Sequence, residues 1–240
     1  MQNAPYNYNS IYEEGDFDTH FKVNIDGTDY AEDVIWSMRT SRALLTANTP
    51  LIGNALVGQI DLTITKPNVT FSRMARIRPY LRLFSRQRRI YSGWLQKGEF
   101  FIDTREEDKS DGIETLAIQG FDAMRKTNQS YPSSTLRWSA NSPTALQVVQ
   151  EIARYIGVQI EPSTVSMLSA DPQIIGFPAQ YTMAETLGSI AAMYASNFCI
   201  SDIGKLMLSG LMDLPECTNL LVDERGRYIT FGGYRIKLRA

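Results

Sequence analysis

The residues best equipped for chemistry in this chain are arginines, and their spacing points to recognition rather than to bond-making. No acidic residue lies between Asp61 and Glu99, whereas Arg73, Arg76, Arg78, Arg82, Arg86, Arg88, Arg89 and Lys97 all fall there together with Lys66. Phe71, Tyr80, Phe84, Tyr91 and Trp94 are interleaved with them. A guanidinium is planar, permanently charged and carries a rigid fork of donors, which suits fixed carboxylate or phosphate partners better than an ammonium does. From Arg73 to Lys97 the seven arginines outnumber the single lysine, which favours an assembly surface over a merely solvated face. The opposite charge follows at once, in Glu99, Asp103, Glu106, Glu107, Asp108, Asp111 and Glu114. The expectation is a charge patch at a subunit interface or lumen, made by Arg73, Arg76, Arg78, Arg82, Arg86, Arg88, Arg89 and Lys97. Its acidic partner patch is Asp103, Glu106, Glu107, Asp108, Asp111 and Glu114, within the chain or on a neighbouring copy. An electropositive strand face for nucleic acid is the competing reading, because phosphate contacts supply most non-specific affinity.

Catalysis finds little material. There is one histidine, His20, and two distant cysteines, Cys199 and Cys217. A zinc site at ordinary ligand counts therefore cannot be assembled within one chain. Cys199 stands between Phe198 and Ile200 and reads as a small core residue. The carboxylate pairs Glu13/Glu14, Glu106/Glu107 and Asp223/Glu224 lie in polar segments, where nothing would shift a pKa towards acid–base work. Ser41, Ser72 and Ser209 lack a nucleophile elbow, and Gly232-Gly233 lacks the lysine and helix of a phosphate loop. The acidic run Asp103 to Glu114 misses the spacing of a calcium loop and reads as a hairpin tip. No catalytic, metal-binding or cofactor-binding residue is expected.

The whole chain sets the bounds. Its 240 residues are 43% apolar, and 24 basic against 26 acidic side chains leave a formal charge of −2. Such balance argues against a dedicated nucleic-acid or anionic-membrane protein. Residues 1–14 have neither a basic nor an apolar signal region, and no stretch approaches the roughly eighteen apolar residues of a membrane span. Synthesis in the cytoplasm is expected.

These side chains must be positioned by strands. From His20 to about Gln119 the pattern has period two. Phe21, Val23 and Ile25 alternate with polar residues before Asp26-Gly27, a tight-turn pair, and the return strand is read through Val34, Trp36 and Met38. Leu56, Gly58, Ile60, Leu62 and Ile64 alternate clearly. Ile77, Leu81 and Leu83 share one face of a strand that carries Arg76, Arg78, Tyr80 and Arg82 on the other. Strands are also read at Trp94 to Ile102 and Ile113 to Gln119. Residues 1–19 are taken as an N-terminal arm and 20–130 as an antiparallel β-barrel. Residues 129–141 resemble a linker in composition. In residues 136–210 the pattern is a small α/β module, with one helix capped by Ser142 and Pro143 and ended by Gly157. A second helix opens on the capping box Thr182 to Glu185, and a hairpin follows over 198–209. Residues 211–240 read as strands that begin another domain. The fold class is α+β.

The run Trp94 to Thr104 contains Gly-Glu-Phe-Phe-Ile, and Leu116 to Met124 runs into Asp-Ala-Met. With the α/β module from Ser142 and the segment Tyr228 to Ile236, this order of features resembles the baseplate hub proteins of phage tails and contractile injection systems. It is also similar to the N-terminal hub module of tail-associated lysins. The resemblance implies a homotrimer whose subunits each supply two tube-like β-barrel domains. The resulting pseudo-sixfold ring would connect a hexameric tail tube or distal tail protein to a threefold tip or spike. It implies a non-enzymatic structural protein, made in the bacterial cytoplasm and located at the virion tail tip or baseplate, with DNA only as lumen cargo. The chain departs from that plan in having one convincing barrel, the second starting near Asp223. The alternatives are an anchoring module of a cell-wall-degrading tail-associated lysin and a nucleic-acid-binding β-barrel.

Overall fold

The computed structural model describes residues 4–42, 52–110, 112–132, 143–173 and 180–210, together with the backbone of residues 45–46, 49–50, 230–231 and 234–235. Alternation builds the larger sheet. Strand β1 (Phe17–Ile25) turns through Asp26 and Gly27, both at positive φ (51° and 95°), straight into β2 (Thr28–Ala31). That two-residue turn pairs Ile25 with Thr28, so the return strand comes at once and is short. The strand expected through Val34, Trp36 and Met38 is a separate one, β3 (Ile35–Arg42). A second turn, in which Val34 N–H donates to the Ala31 carbonyl, sends it to the far side of the sheet.

Strands β4 (Leu45–Thr46) and β5 (Thr49–Pro50) pair with each other. Next come β6 (Ala55–Leu56) and β7 (Gly58–Thr65), whose Gly58, Ile60, Leu62 and Ile64 are all buried. Strand β8 (Arg76–Ser85) pairs with β1 along its whole length, from Phe17 opposite Ser85 to Ile25 opposite Ile77. Its other edge is shared in turn by β9 (Ile90–Tyr91), β10 (Leu95–Gln96) and the start of β11 (Phe100–Ser110). Strand β12 (Ile113–Phe121) returns along β11. The order is β2-β1-β8-β11-β12-β7-β3, antiparallel throughout.

Between the described residues no ladder joins β2 to β3, so the expected barrel is not closed: this is an open sheet with two edges. The reason lies in the side chains. Ile35 of β3, Tyr30 of β2 and Phe71 of the loop before β8 belong to one apolar core with Val23, Ile25, Ile60, Leu62, Ile64, Ile77, Phe100 and Ile102. The core is thus covered from the edges by side chains instead of by a continuous hydrogen-bonded wall. Each fully buried residue of this kind contributes roughly 1.5–3 kcal/mol.

The second core lies under the helices. After a 3₁₀ segment (Ala123–Asn128) comes α2, whose label follows the short N-terminal helix α1 (Tyr8–Glu14). Helix α2 (Ala145–Ile156) is capped by Thr144, two residues later than the expected Ser142, which is outside the described residues. Thr144 wins because its hydroxyl accepts from Gln147 N–H while the Gln147 side chain accepts from Thr144 N–H. Gly157 ends the helix at φ 78° as expected. Helix α3 (Pro162–Ala170) is absent from the sequence reading; just ahead of it, Ile160 forms a parallel bridge with Leu206. Helix α4 (Met183–Met193) opens on the expected Thr182–Glu185 box. The hairpin of β13 (Ser196–Ile200) and β14 (Leu206–Gly210) also matches. Of the C-terminal strands, β15 (Thr230–Phe231) and β16 (Tyr234–Arg235) pair; the rest of 211–240 and most of the linker expected at 129–141 are outside the described residues.

The two cores are stitched together by chain exchange. Strand β6, from the N-terminal half, pairs in parallel with β13. Gly53 N–H donates to the Ser196 carbonyl at 2.9 Å, and Phe198 N–H donates to the Asn54 carbonyl at 2.8 Å. This brings the backbone of residues 53–54 onto α4 so closely that a Cβ on Gly188 would stand 2.6 Å from the Gly53 carbonyl oxygen. In an exposed helix interior Gly→Ala gains about 1 kcal/mol. Here Gly188→Ala is expected to reverse that sign and cost about 1–3 kcal/mol through overpacking, read from the urea unfolding midpoint. A stabilised variant would contradict the close approach.

Candidate interaction surface

Strand β8 sets the charge pattern. Its Ile77, Pro79 and Leu83 are buried in the sheet's inner face, so the alternate residues Arg76, Arg78, Tyr80, Arg82 and Phe84 face outward. Opposite them on β1 stand Asp18, His20, Lys22 and Asn24. The arginines are largely committed within the chain. Arg78 Nε donates to Glu99 Oε2 at 2.8 Å, and Arg76 Nε is 3.9 Å from the same oxygen. Arg86 hydrogen-bonds Asp18 and lies 3.5 Å from Asp16; Arg88 pairs with Glu14 at the end of α1. Its hydrogen bond to Arg86 holds the Asp18 carboxyl below the usual aspartate range. Lys97 Nζ is 3.5 Å from Asp202 Oδ2. Arg73 and Arg89 are exposed and make no ion pair among the described residues.

The N-terminal arm is therefore part of the surface, not an appendage. Ile11 of α1 is fully buried, Glu14 accepts from the Ser85 hydroxyl at 2.6 Å, and Gly93 N–H donates to the Tyr6 carbonyl at 2.9 Å. The arm carries the acids that neutralise the β8–β9 turn.

Arg82 takes a different course. Its guanidinium carbon lies 4.0 Å from the Tyr91 ring centroid and 4.4 Å from that of Trp94, and its Nε is buried with no hydrogen-bond partner. Lys22 Nζ lies 4.9 Å from the same tryptophan and 2.6 Å from Asp29. Such contacts are worth about 0.5–2 kcal/mol according to desolvation. His20 joins this cluster structurally, its Nδ1 2.8 Å from Glu32 and its ring edge-on to Phe84 and Tyr91.

The acidic run stands on strands instead of forming a broad tip, since β11 continues to Ser110 and β12 starts at Ile113. Glu107 pairs with Lys66 at 2.6 Å, and Glu114 with Lys109 at 2.7 Å and Lys66 at 3.8 Å. Asp103, Glu106 and Asp108 are exposed and make no ion pair among the described residues; Asp111 is outside them. Beyond Phe101, β11 leaves the ladder with β8: Ile102 N–H donates to the Ala75 carbonyl at 3.0 Å, the Arg105 side chain donates to the Phe71 carbonyl, and among the described residues no strand ladder continues along that edge. The basic and acidic blocks meet in Glu99 and Lys66, while most of the other pairs come from elements distant in sequence.

A third cluster gave no signal as chemistry in the sequence. Asp122 follows β12, and its side chain is fully buried. Its carboxylate accepts from Gly58 N–H at 2.8 Å and from Met124 N–H at 3.0 Å, with Arg42 Nε 4.0 Å away. Burial pushes it up to about 7, against the opposing pull of those three partners. Its position ahead of Ala-Met, as the cap of a 3₁₀ turn, was the only legible hint. Cys199 lies nearby, buried, its thiol pushed up to about 11 by burial. Among the described residues no His/Cys/Asp/Glu group is arranged to hold a metal, and no helix is long and apolar enough to cross a membrane.

No family model matches the sequence. The chain is similar in fold to the 43 kDa tail protein of prophage MuSo2 from Shewanella oneidensis, with a TM-score of 0.54 at 14% identity, over 85% of this chain and 59% of that one. A tail protein from Neisseria meningitidis MC58 aligns with a TM-score of 0.49 at 14% identity, over 88% of this chain and 53% of its own. Among curated proteins, the UDP-N-acetylglucosamine transferase subunit ALG14 of Yarrowia lipolytica is 28% identical over 153 residues, 62% of this chain and 66% of its own length. At that identity and coverage the alignment assigns neither family nor activity. The chain spans less than two thirds of the length of each of these proteins. With the MuSo2 protein it shares a mixed α+β fold built mostly on an antiparallel sheet.

Two outcomes follow from this geometry. Replacing Glu14, Asp16 and Asp18 together by Gln, Asn and Asn should unmask Arg86 and Arg88. The variant is then expected to elute from heparin at higher salt than the wild type; unchanged elution would show that the arm does not neutralise the turn. The second outcome concerns pH. The folded pKa of Asp122, about 7, stands above its ordinary value of 3.8, so protonation favours the folded state. The group's stabilising contribution is complete below pH 3.8 and is lost as pH rises through about 7. The loss is on the order of 4 kcal/mol. Chemical denaturation across that range should show the slope in the wild type and a flatter profile in Asp122→Asn.

Proposed function

We propose that the chain is a non-enzymatic structural component of a phage tail or phage-tail-like particle, acting in the hub ring that connects the tail tube to the tip or spike. The observation that carries this reading is the fold shared with the MuSo2 tail protein over 85% of the chain. The order of strands, hairpin and α/β module that resembles hub proteins in the sequence supports it. Its partners would be further copies of itself, as a homotrimer, together with a tail-tube or distal tail protein and a tip or spike protein. Its location would be the tail tip or baseplate of the virion.

Physical features fit an assembling part. The sheet ends in β2 on one side and β3 on the other, and among the described residues β11 runs on past its ladder with β8, which covers only Phe100 and Phe101. Unpaired edges invite strand addition unless they are covered or charged. The nucleic-acid reading is weakened because Arg76, Arg78, Arg86, Arg88 and Lys97 face carboxylates of their own chain. DNA enters this reading only as cargo of a lumen.

The test is direct. Tail particles carrying an affinity-tagged chain are purified and imaged by electron microscopy with a gold-labelled tag ligand. Label at one end of the tail is the expected result, and particles without label would overturn the reading. Sedimentation of the purified chain is expected to give three times the 27.1 kDa subunit mass; a monomer at micromolar concentration would remove the ring.

A further inference from the structure

Asp122 sits where the sheet meets the second core, and the charges around it form a relay instead of a closed pair. Arg42, the last residue of β3, places Nε 4.0 Å from Asp122 Oδ2 and a terminal nitrogen 3.6 Å from Asp202 Oδ1. Asp202 belongs to the turn between β13 and β14, and its second oxygen is 3.5 Å from Lys97 Nζ. Gln96 Nε2 donates to the Asp202 carbonyl at 2.9 Å. The same turn packs its Gly204 so near the sheet that a Cβ there would lie 2.9 Å from Glu99 Oε1. Arg42 and Gln96 from the sheet and Lys97 from the connection between β10 and β11 thus hold the hairpin of the second core by its turn.

We propose that Asp122, Arg42 and Asp202 form a proton-dependent latch that sets how tightly the β13–β14 turn is held to the sheet. One guanidinium stands between two carboxylates. When Asp122 is ionised it draws on Arg42 in competition with Asp202. When Asp122 is protonated it keeps hydrogen-bonding capacity but loses its charge, and Arg42 is left to Asp202. Acidification therefore tightens the latch and alkalinisation loosens it.

The other groups facing Asp122 do not cancel this. Gly58 and Met124 offer backbone N–H donors, which do not titrate. Cys199, on β13, stays a neutral thiol through the physiological range because burial pushes it up to about 11. On the opposite side, Arg125 and Lys126 of the 3₁₀ segment and Asp103 of β11 line a cleft of about 170 Å³ with Asp122; Arg125 N–H donates to the Asp122 backbone carbonyl at 3.1 Å, and none of the three side chains is hydrogen-bonded to the Asp122 carboxylate. Burial places the Asp122 titration at about 7, so the latch would respond in the neutral range.

This inference goes beyond the structural role proposed above and stands without it. The readout is hydrogen exchange of the turn, corrected for the intrinsic pH dependence of exchange. There Gly204 N–H donates to the Ser201 carbonyl at 3.0 Å and Lys205 N–H to the Ser201 hydroxyl at 3.1 Å. The wild type should protect the peptide spanning this turn several-fold more at about pH 6 than at about pH 8, either side of the ordinary protonation range of a group titrating near neutrality. Asp122→Asn, fixed in the neutral state, should show the same protection at both. Asp202→Asn should show weak protection at both. A wild type without the pH difference, or an Asp122→Asn variant that retains it, overturns the latch. Should Asp122→Asn fail to fold, the carbon-13 titration of the Asp122 carboxyl in the wild type decides. A midpoint near 7 supports the latch, and one below about 5, the ordinary carboxylate range, overturns it.

Discussion

The rest of the molecule depends on β8 being hydrogen-bonded on both edges. Nine residues of β1 occupy one edge, and β9, β10 and β11 divide the other. A strand in that position has no freedom to slip, because a shift of one residue would turn Ile77, Pro79 and Leu83 outward and bring four charged or polar side chains into the core. Register thus fixes which way the arginines point. Once Arg76, Arg78 and Arg82 are obliged to face outward along one strand, with Arg86 just beyond its end, their mutual repulsion has to be met by neighbours. Glu99, Asp16, Asp18 and Glu14 come in from both sides of β8 to do so. The N-terminal helix is ordered by the same need, with Ile11 supplying the buried anchor and Glu14 the charge.

The second dependence is the handover between cores. Segment 53–56 leaves the sheet region, joins β13 and returns to β7, so the two cores share backbone hydrogen bonds, not only side-chain contact. Gly53 and Gly188 make that handover possible by allowing backbone to approach backbone. Asp122 secures its return, since the N–H it accepts belongs to Gly58, the first residue of β7. A carboxylate buried for this purpose costs more than an amide would, and Arg42 offsets that cost only from 4.0 Å. The outcome is a junction that holds both cores yet retains a titratable group at its centre.

How much of this was legible in the sequence follows from range. Local periodicity exposed the strands at 58–65, 76–85 and 113–121, and the capping residues exposed α4 and the end of α2, because each of those signals is complete within a few residues. The destination of a strand is not local. Val34 to Met38 reads as the partner of β1, and only the tight Asp26-Gly27 turn with the following Ala31–Val34 turn explains why β2 takes that place. Helix α3 has apolar residues without a clear stripe, so its pattern was silent. The charge blocks were visible as composition, whereas their partners were not, because Glu14, Asp16 and Asp18 precede the arginines by some seventy residues. Asp122 was invisible as a site for a related reason: its meaning comes from Arg42 and Gly58, which only the fold brings to it.

Near-neutral composition consequently has a structural meaning that differs from simple cancellation of adjacent blocks. The basic strand is neutralised mainly by the N-terminal arm and Glu99, which leaves Asp103, Glu106 and Asp108 without an ion-pair partner among the described residues, on a strand that within those residues has no ladder on its β8 side beyond Phe101. Charge on a free edge discourages indiscriminate strand addition, because an apolar or acidic strand would have to desolvate or oppose those carboxylates. It does not discourage a strand that brings its own cations. An edge of this kind is selective where an apolar edge would be adhesive.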